Sequence, residues 1–256
     1  MLRSIAVYLL LLALALAAGC GQDTSPPSKA TERPQFALQV QPVSTPLTTA
    51  EVTAFLEIVQ RLPGGQPPEP TLPPVPELSG ETPPRDRLAA WRGHIRRQLD
   101  PEQIAQSWKH GSRVHQVLSE QGVEPVAFAS LMSRISATWV SASLTATDLA
   151  KEARSAENRI ELAIRQIEEI DRRSRTLREI PPHWATRRDA TWASVQELVS
   201  LVEFLRLMQS VPDASREEIQ ARRPALAKLL PSVDESNPFE LRDERRIVPT
   251  GFEEPQ

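Results

Sequence analysis

Cysteine is almost missing from this chain of 256 residues: only Cys20 is present, so no internal disulfide can form and the fold rests on packing alone. Tyrosine is as scarce, with Tyr8 alone near the start, while five Trp and six Phe carry the remaining aromatic surface as core anchors. Glycine is absent between Gly122 and Gly251, which excludes a glycine-rich phosphate loop there, and G-x-S-x-G, H-E-x-x-H and C-x-x-C-H do not occur. A basic excess is lacking too. The 30 Lys and Arg stand against 33 Asp and Glu, so composition gives no electrostatic footprint for nucleic acid.

What is present begins at the N-terminus. Arg3 supplies a positive start, Ser4 to Gly19 is an apolar run, and small residues lead into the one cysteine, which is the layout of a secretory signal. The run Ala17-Ala18-Gly19-Cys20 resembles the lipobox of bacterial lipoprotein precursors, with Ala17 in a place where Leu is usual. That resemblance implies a signal peptide over residues 1–19, cleavage before Cys20, and acylation of Cys20 with diacylglycerol and palmitate-type chains. The chain would then be held on a membrane of the cell envelope. Gly21, where Asp resembles an inner-membrane retention signal, implies the periplasmic face of the outer membrane in a Gram-negative cell. Three other readings compete on the residues themselves: a secretory leader cut after Ala15-Leu16-Ala17, which leaves Cys20 a free thiol; an uncleaved anchor, for which the run is short of the roughly 20 residues a span needs; and a buried core helix, against which Arg3 followed by unbroken Leu and Ala argues.

Residues 20–47 are polar and proline-dotted, and read as a tether, although Phe36, Leu38 and Val40 alternate with polar neighbours as a short extended segment lying on the domain would. The expected domain spans 48–231. Thr48-Thr-Ala-Glu51 is a capping box, followed by Val52, Phe55, Leu56, Val59 and Leu62 at helical spacing up to Pro63-Gly64-Gly65. The stretch 63–84 holds nine prolines and three glycines and reads as an extended surface loop, with the spacing of Pro67, Pro70, Pro73 and Pro76 matching a polyproline ligand.

A helix from Arg85 to Leu99 carries Leu88, Trp91, Ile95 and Leu99. Asp100-Pro101 opens another, expected to run through Ile104, Trp108 and Leu118 to Gly122. With no Gly or Pro between Pro125 and Pro181, the residues there predict one long helix, with Asp148 as the alternative fresh N-cap. Within it Leu149, Ala153, Ala156, Ile160, Ala163, Ile167, Ile170, Ser174 and Leu177 alternate by four and three, a heptad seam. Its apolar partner is Trp192, Val195, Leu198, Val199, Val202, Leu205 and Met208. The fold class is therefore all-α, a helical bundle containing a long antiparallel coiled-coil-like helical hairpin. Ser215-Arg-Glu-Glu218 predicts a last capping box, with Pro224 kinking or restarting the final helix, and 232–256 reads as an acidic, poorly ordered tail.

The residues that could carry chemistry are few. His94, His110 and His115 are the only set that neighbouring helices could gather into a metal or catalytic site, yet His110 and His115 sit five apart and do not share a helix face. Arg172, Arg173, Arg175, Arg178, Arg187 and Arg188 form a basic tip suited to an anionic lipid or envelope polymer, balanced locally by Glu168, Glu169, Asp171 and Glu179. No cofactor motif is found. The sequence leads to a lipid-anchored envelope protein with a non-enzymatic structural or partner-binding role, touching the membrane through Cys20 and an envelope protein through its helical surfaces. Its alternatives are a helical-bundle enzyme or sensor on the three histidines, and an anion binder at the basic tip.

Overall fold

The computed structural model describes residues 36–71, 73–76, 82–108, 112–144, 148–175 and 181–230. Among them are nine α-helices and no strand. The first, α1 (Thr49–Arg61), opens on the expected capping box: Thr48 Oγ1 accepts from Glu51 N–H at 3.2 Å, and the Glu51 carboxylate accepts from Thr48 N–H at 2.8 Å. It ends where Gly64 and Gly65 take φ of 73° and 64°, which an L side chain resists. Helix α2 (Pro84–Gln98) and helix α3 (Pro101–Ser107) both begin with proline in the first turn, and Asp100 caps α3 by accepting from Glu102 N–H at 3.0 Å.

The helix expected from Pro101 to Gly122 is two helices. Trp108 leaves α3 with an extended backbone, and α4 (Arg113–Glu120) restarts on Ser112, whose hydroxyl accepts from His115 N–H. Helix α4 closes as predicted on Gly122, at φ 69°, with Val123 N–H bonded to Leu118 O at 2.9 Å and Gly122 N–H to Ser119 O at 3.0 Å, the paired bonds of a Schellman cap.

The long helix of 125–180 is likewise divided, into α5 (Pro125–Ser143) and α6 (Leu149–Ser174). Asp148 decides the restart, because its carboxylate accepts from Lys151 N–H at 2.9 Å and supplies an orphan donor with its partner. The two helices also have different burial demands. Helix α5 is buried around most of its circumference, whereas α6 buries one seam.

That seam is the predicted one from Ala153 to Ser174, with Ile164 added. Helix α7 (Pro182–Gln209) buries all seven partner residues read from the sequence. The two run antiparallel: Gln209 donates to Leu149 O at 2.9 Å, Arg206 pairs with Glu157 at 2.6 Å, and Arg188 with Asp171 at 3.7 Å. Helix α2 lies along both, with Arg85 on Glu168 at 3.0 Å and the Trp91 indole donating to Gln196 O at 3.2 Å. Chain order ends with α8 (Asp213–Ala221) and α9 (Arg223–Leu226), which restarts at Pro224.

Two apolar clusters result. One gathers side chains of α1, α3, α4, α5, α8 and α9 around Phe55, Phe128 and Ile135; the other joins α2, α6 and α7 around Ile160, Ile164 and Leu205. Val140 of α5 touches both. Parts of the last twelve residues assigned to the tether rest on the first cluster. Phe36 and Leu38 pack on it, Leu47 is buried in it, and Ser130 of α5 both accepts from Gln41 N–H and donates to Gln41 O. Ser215 does not cap α8, which begins at Asp213; its hydroxyl accepts instead from Leu47 N–H at 2.9 Å. Glu218 accepts from Thr49 and Arg222.

Candidate functional site

Cys20, the residue with the most specific sequence signal, lies outside the described residues, as do His110, Arg178, Leu177 and the tail from 232. The polar geometry of the domain therefore bears on the remaining candidates.

His94 and His115 have separate surroundings. His94, 1% exposed, projects from α2 beside Trp91, with ring centroids 5.1 Å apart. The Gln98 amide nitrogen lies 2.9 Å from its Nε2; an NH₂ group only donates, so the contact calls for the neutral ring with its proton on Nδ1. Burial, and then the charge of Arg97, lower the His94 pKa below 6.5, which favours the same neutral form. His115 stands on α4, at the rim of an open concavity of about 720 Å³ that Ser119, Glu120, Val123, Glu124 and Pro125 also line. Among the described residues no three His, Cys, Asp or Glu side chains are grouped as a metal site.

At the hairpin end, Arg172, Arg173 and Arg188 of the basic tip are engaged by local acids. Glu169 takes both Arg172, at 2.6 Å, and Arg173, at 2.5 Å, and these bonds hold its carboxyl below the usual value. Arg188 faces Asp171 at 3.7 Å and Asp189 at 3.5 Å. Arg87 of α2 lies over the Trp192 ring at 4.3 Å; burial, and then Arg188, lower its pKa against the opposing pull of Asp171 and Asp189. Arg172 and Arg173 thus pair within α6, Arg188 ties α7 to α6 through Asp171, and Arg175 is exposed.

No protein-family model, curated protein or solved structure matches the chain.

Two polar constellations were not foreseen from the sequence. Arg134 on α5 is buried to 2% and donates to Glu51 at 2.5 Å and to the carbonyls of Thr45 and Pro46 at 3.2 and 2.8 Å. Burial acts to raise the Glu51 pKa, but hydrogen bonds from Arg134 and Thr48 outweigh it and leave the carboxyl below 4.5. One signal was available: Arg134 is the sole charge between Glu124 and Asp148, and a lone charge in an apolar helix needs a partner. The second is a ladder across α2, α6 and α7, in which Arg92 meets Glu157, Glu157 meets Arg206, Arg206 meets Glu203 and Glu203 meets Arg96. It requires three helices in register, which no sequence spacing within one helix displays.

Chemically, these groups orient and fasten. Arg134 and Glu51 fix the segment entering α1, and the ladder fixes α2 on the hairpin. The concavity beside His115 has the exposed Glu120 and Glu124 in its lining.

Proposed function

We propose that this chain is a lipoprotein of the bacterial cell envelope, attached through an acylated Cys20, whose helical domain serves a structural or partner-binding role without catalysis. The observation that carries the reading is the leader: Arg3, the apolar run Ser4 to Gly19, and Ala17-Ala18-Gly19-Cys20. Acylation contributes about 0.8 kcal/mol per buried CH₂, so several chains on one cysteine hold a domain on a bilayer durably. No helix among the described residues is long and apolar enough to cross a membrane.

The seating of Phe36 to Leu47 on the domain gives this anchor a short reach. Sixteen residue steps separate Cys20 from Phe36, at most about 58 Å fully extended at 3.3–3.6 Å each. The domain would therefore work close to the leaflet that holds it. Its long α6 and α7, which we read as coiled-coil-like from the four-three seam, form a rigid arm of about 39 Å along α6 at 1.5 Å per residue.

The test is cross-linking in living cells of the native chain carrying photoreactive groups on the exposed faces of α6 and α7. The reading expects a reproducible envelope-protein adduct that survives detergent washing and disappears when Cys20→Ser prevents acylation. Absence of any adduct, together with stoichiometric metal in the purified protein lost in His94→Ala or His115→Ala, would replace it with the metal-site alternative.

A further inference from the structure

The buried seam of α6 has a counterpart on the opposite side of the same helix. Lys151, Arg154, Asn158, Leu162, Arg165, Glu169 and Arg172 follow each other by three and four, so at 100° per residue they form one stripe less than about 90° wide. From Lys151 to Arg172 it runs about 32 Å at 1.5 Å per residue. Lys151, Arg154, Leu162, Arg165 and Arg172 are all exposed.

Four of the six acids on α6 face its neighbouring helices, Asp171 meeting Arg188 of α7. Glu157, Glu161 and Glu168 turn towards α2 and pair with Arg92 and Arg85. The acid left on the outer stripe, Glu169, is shared by Arg172 and Arg173. Among the described residues, Lys151, Arg154 and Arg165 make no ion pair, and Arg154 reaches only its own helix, donating to Ala150 O at 3.2 Å. In the middle of these cations Leu162 is 59% exposed, one of three large apolar side chains so placed among the described residues. Arg159 lies exposed to one side of the stripe.

A solvated helix face needs no such sorting, and a straight row of cations around an exposed leucine matches a plane of phosphates with an apolar layer beneath it. We propose that the outer stripe of α6 is a docking face for an anionic phospholipid surface. The choice of lipid over a soluble polyanion rests on the lipid-anchored reading, because a tether of at most about 58 Å keeps the stripe at high effective concentration beside a bilayer. Leu162 enters the headgroup boundary while Lys151, Arg154 and Arg165 meet phosphates, laying the hairpin along the membrane.

The test uses the full chain with Cys20→Ser and Leu162→Cys, whose single thiol carries an environment-sensitive fluorophore. It is placed on vesicles of phosphatidylcholine with or without phosphatidylglycerol, both containing a doxyl-lipid quencher, and flotation confirms association through the retained leader. The expected result is quenching on phosphatidylglycerol vesicles, lost on phosphatidylcholine alone, at high salt, and with K151E, R154E and R165E combined. Those three side chains are exposed and outside ion pairs, so the triple variant keeps its helical circular dichroism. A label that stays in water on phosphatidylglycerol, or equal quenching in the triple variant, overturns the proposal. A spectral shift with a soluble anionic polysaccharide but not with lipid also overturns it. The state of the anchor is read separately from the mass of Cys20 in the native protein: unmodified Cys20 beside specific quenching would fail the anchor and keep the stripe, and modified Cys20 without quenching would do the reverse.

Discussion

Arg134 and Glu51 meet at 2.5 Å although 83 residues separate them, and together they fasten the chain entering α1 to the middle of α5. Glu51 closes the Thr48 capping box with Oε2 and holds Arg134 with Oε1 at 2.5 Å and, more loosely, with Oε2 at 3.4 Å. Arg134 extends the tie to Thr45 and Pro46. Removing one partner of a buried pair leaves the other charge unpaired, so Glu51→Ala is expected to destabilise the protein by about 3–5 kcal/mol. Joint replacement by Arg134→Met and Glu51→Gln should recover much of that loss. Urea unfolding followed by circular dichroism measures both.

The ladder across α2, α6 and α7 should behave differently. Glu203 is 7% exposed, but its partner Arg96 is 61% exposed and can turn to water when the carboxylate is lost. Glu203→Ala is therefore expected to cost only about 1 kcal/mol, and the cost should shrink in high salt. A denaturation midpoint shifted as far as that of Glu51→Ala would contradict this.

Acid should lower the stability of the protein in two stages. The folded-state pKa of His94 lies below 6.5, so the unfolded chain binds the proton more readily, and stability that is complete above pH 6.5 is lost as pH falls below it. The folded-state pKa of Glu51 lies below 4.5, so its contribution is present above pH 4.5 and lost on further acidification through the folded value. In urea titrations at successive pH values, His94→Gln should flatten the upper stage and leave the lower one.

Two glycines should respond with opposite signs. Gly122 sits at φ 69°, and Gly122→Ala is expected to cost about 1–2 kcal/mol by forcing a side chain into the left-handed region. Gly93 lies inside α2, where an added methyl would meet Arg97 at an ordinary 3.6 Å, so Gly93→Ala should stabilise by about 0.5–1 kcal/mol. Thermal unfolding of both variants separates a backbone requirement from helix propensity.

Much of this architecture was legible wherever a signal was local and repeated. The seam of α6, the burial of Trp192 through Met208 on α7, the capping box at Thr48 and the glycine closure at Gly122 all follow from spacing along one segment. Helix breaks were harder to read. Ser112 and Asp148 restart helices through one side-chain bond each; Gly111 stands before Ser112, but no Gly or Pro between Pro125 and Asp148 announces the second stop. Ser215 was misread because a hydroxyl suited to capping serves equally well as an acceptor for a distant backbone N–H, here that of Leu47. The Arg134 tie and the ladder depend on packing between segments far apart in the chain. Among the site candidates, the sequence grouped the tip arginines by proximity, while the fold distributes them between Glu169, Asp171 and Asp189. The outward stripe of α6 carries the same four-three spacing as the seam and was open to the same reading.

The measurement that bears most directly on the account is the intact mass of the N-terminal peptide of the protein purified from bacterial membranes. The account predicts that the peptide begins at Cys20 and carries the added mass of diacylglycerol on its sulfur, with labelled palmitate incorporated in the native chain and absent in Cys20→Ser. A chain that begins at Ala18 with Cys20 as a free thiol, or one that retains Met1 through Gly19, would contradict it.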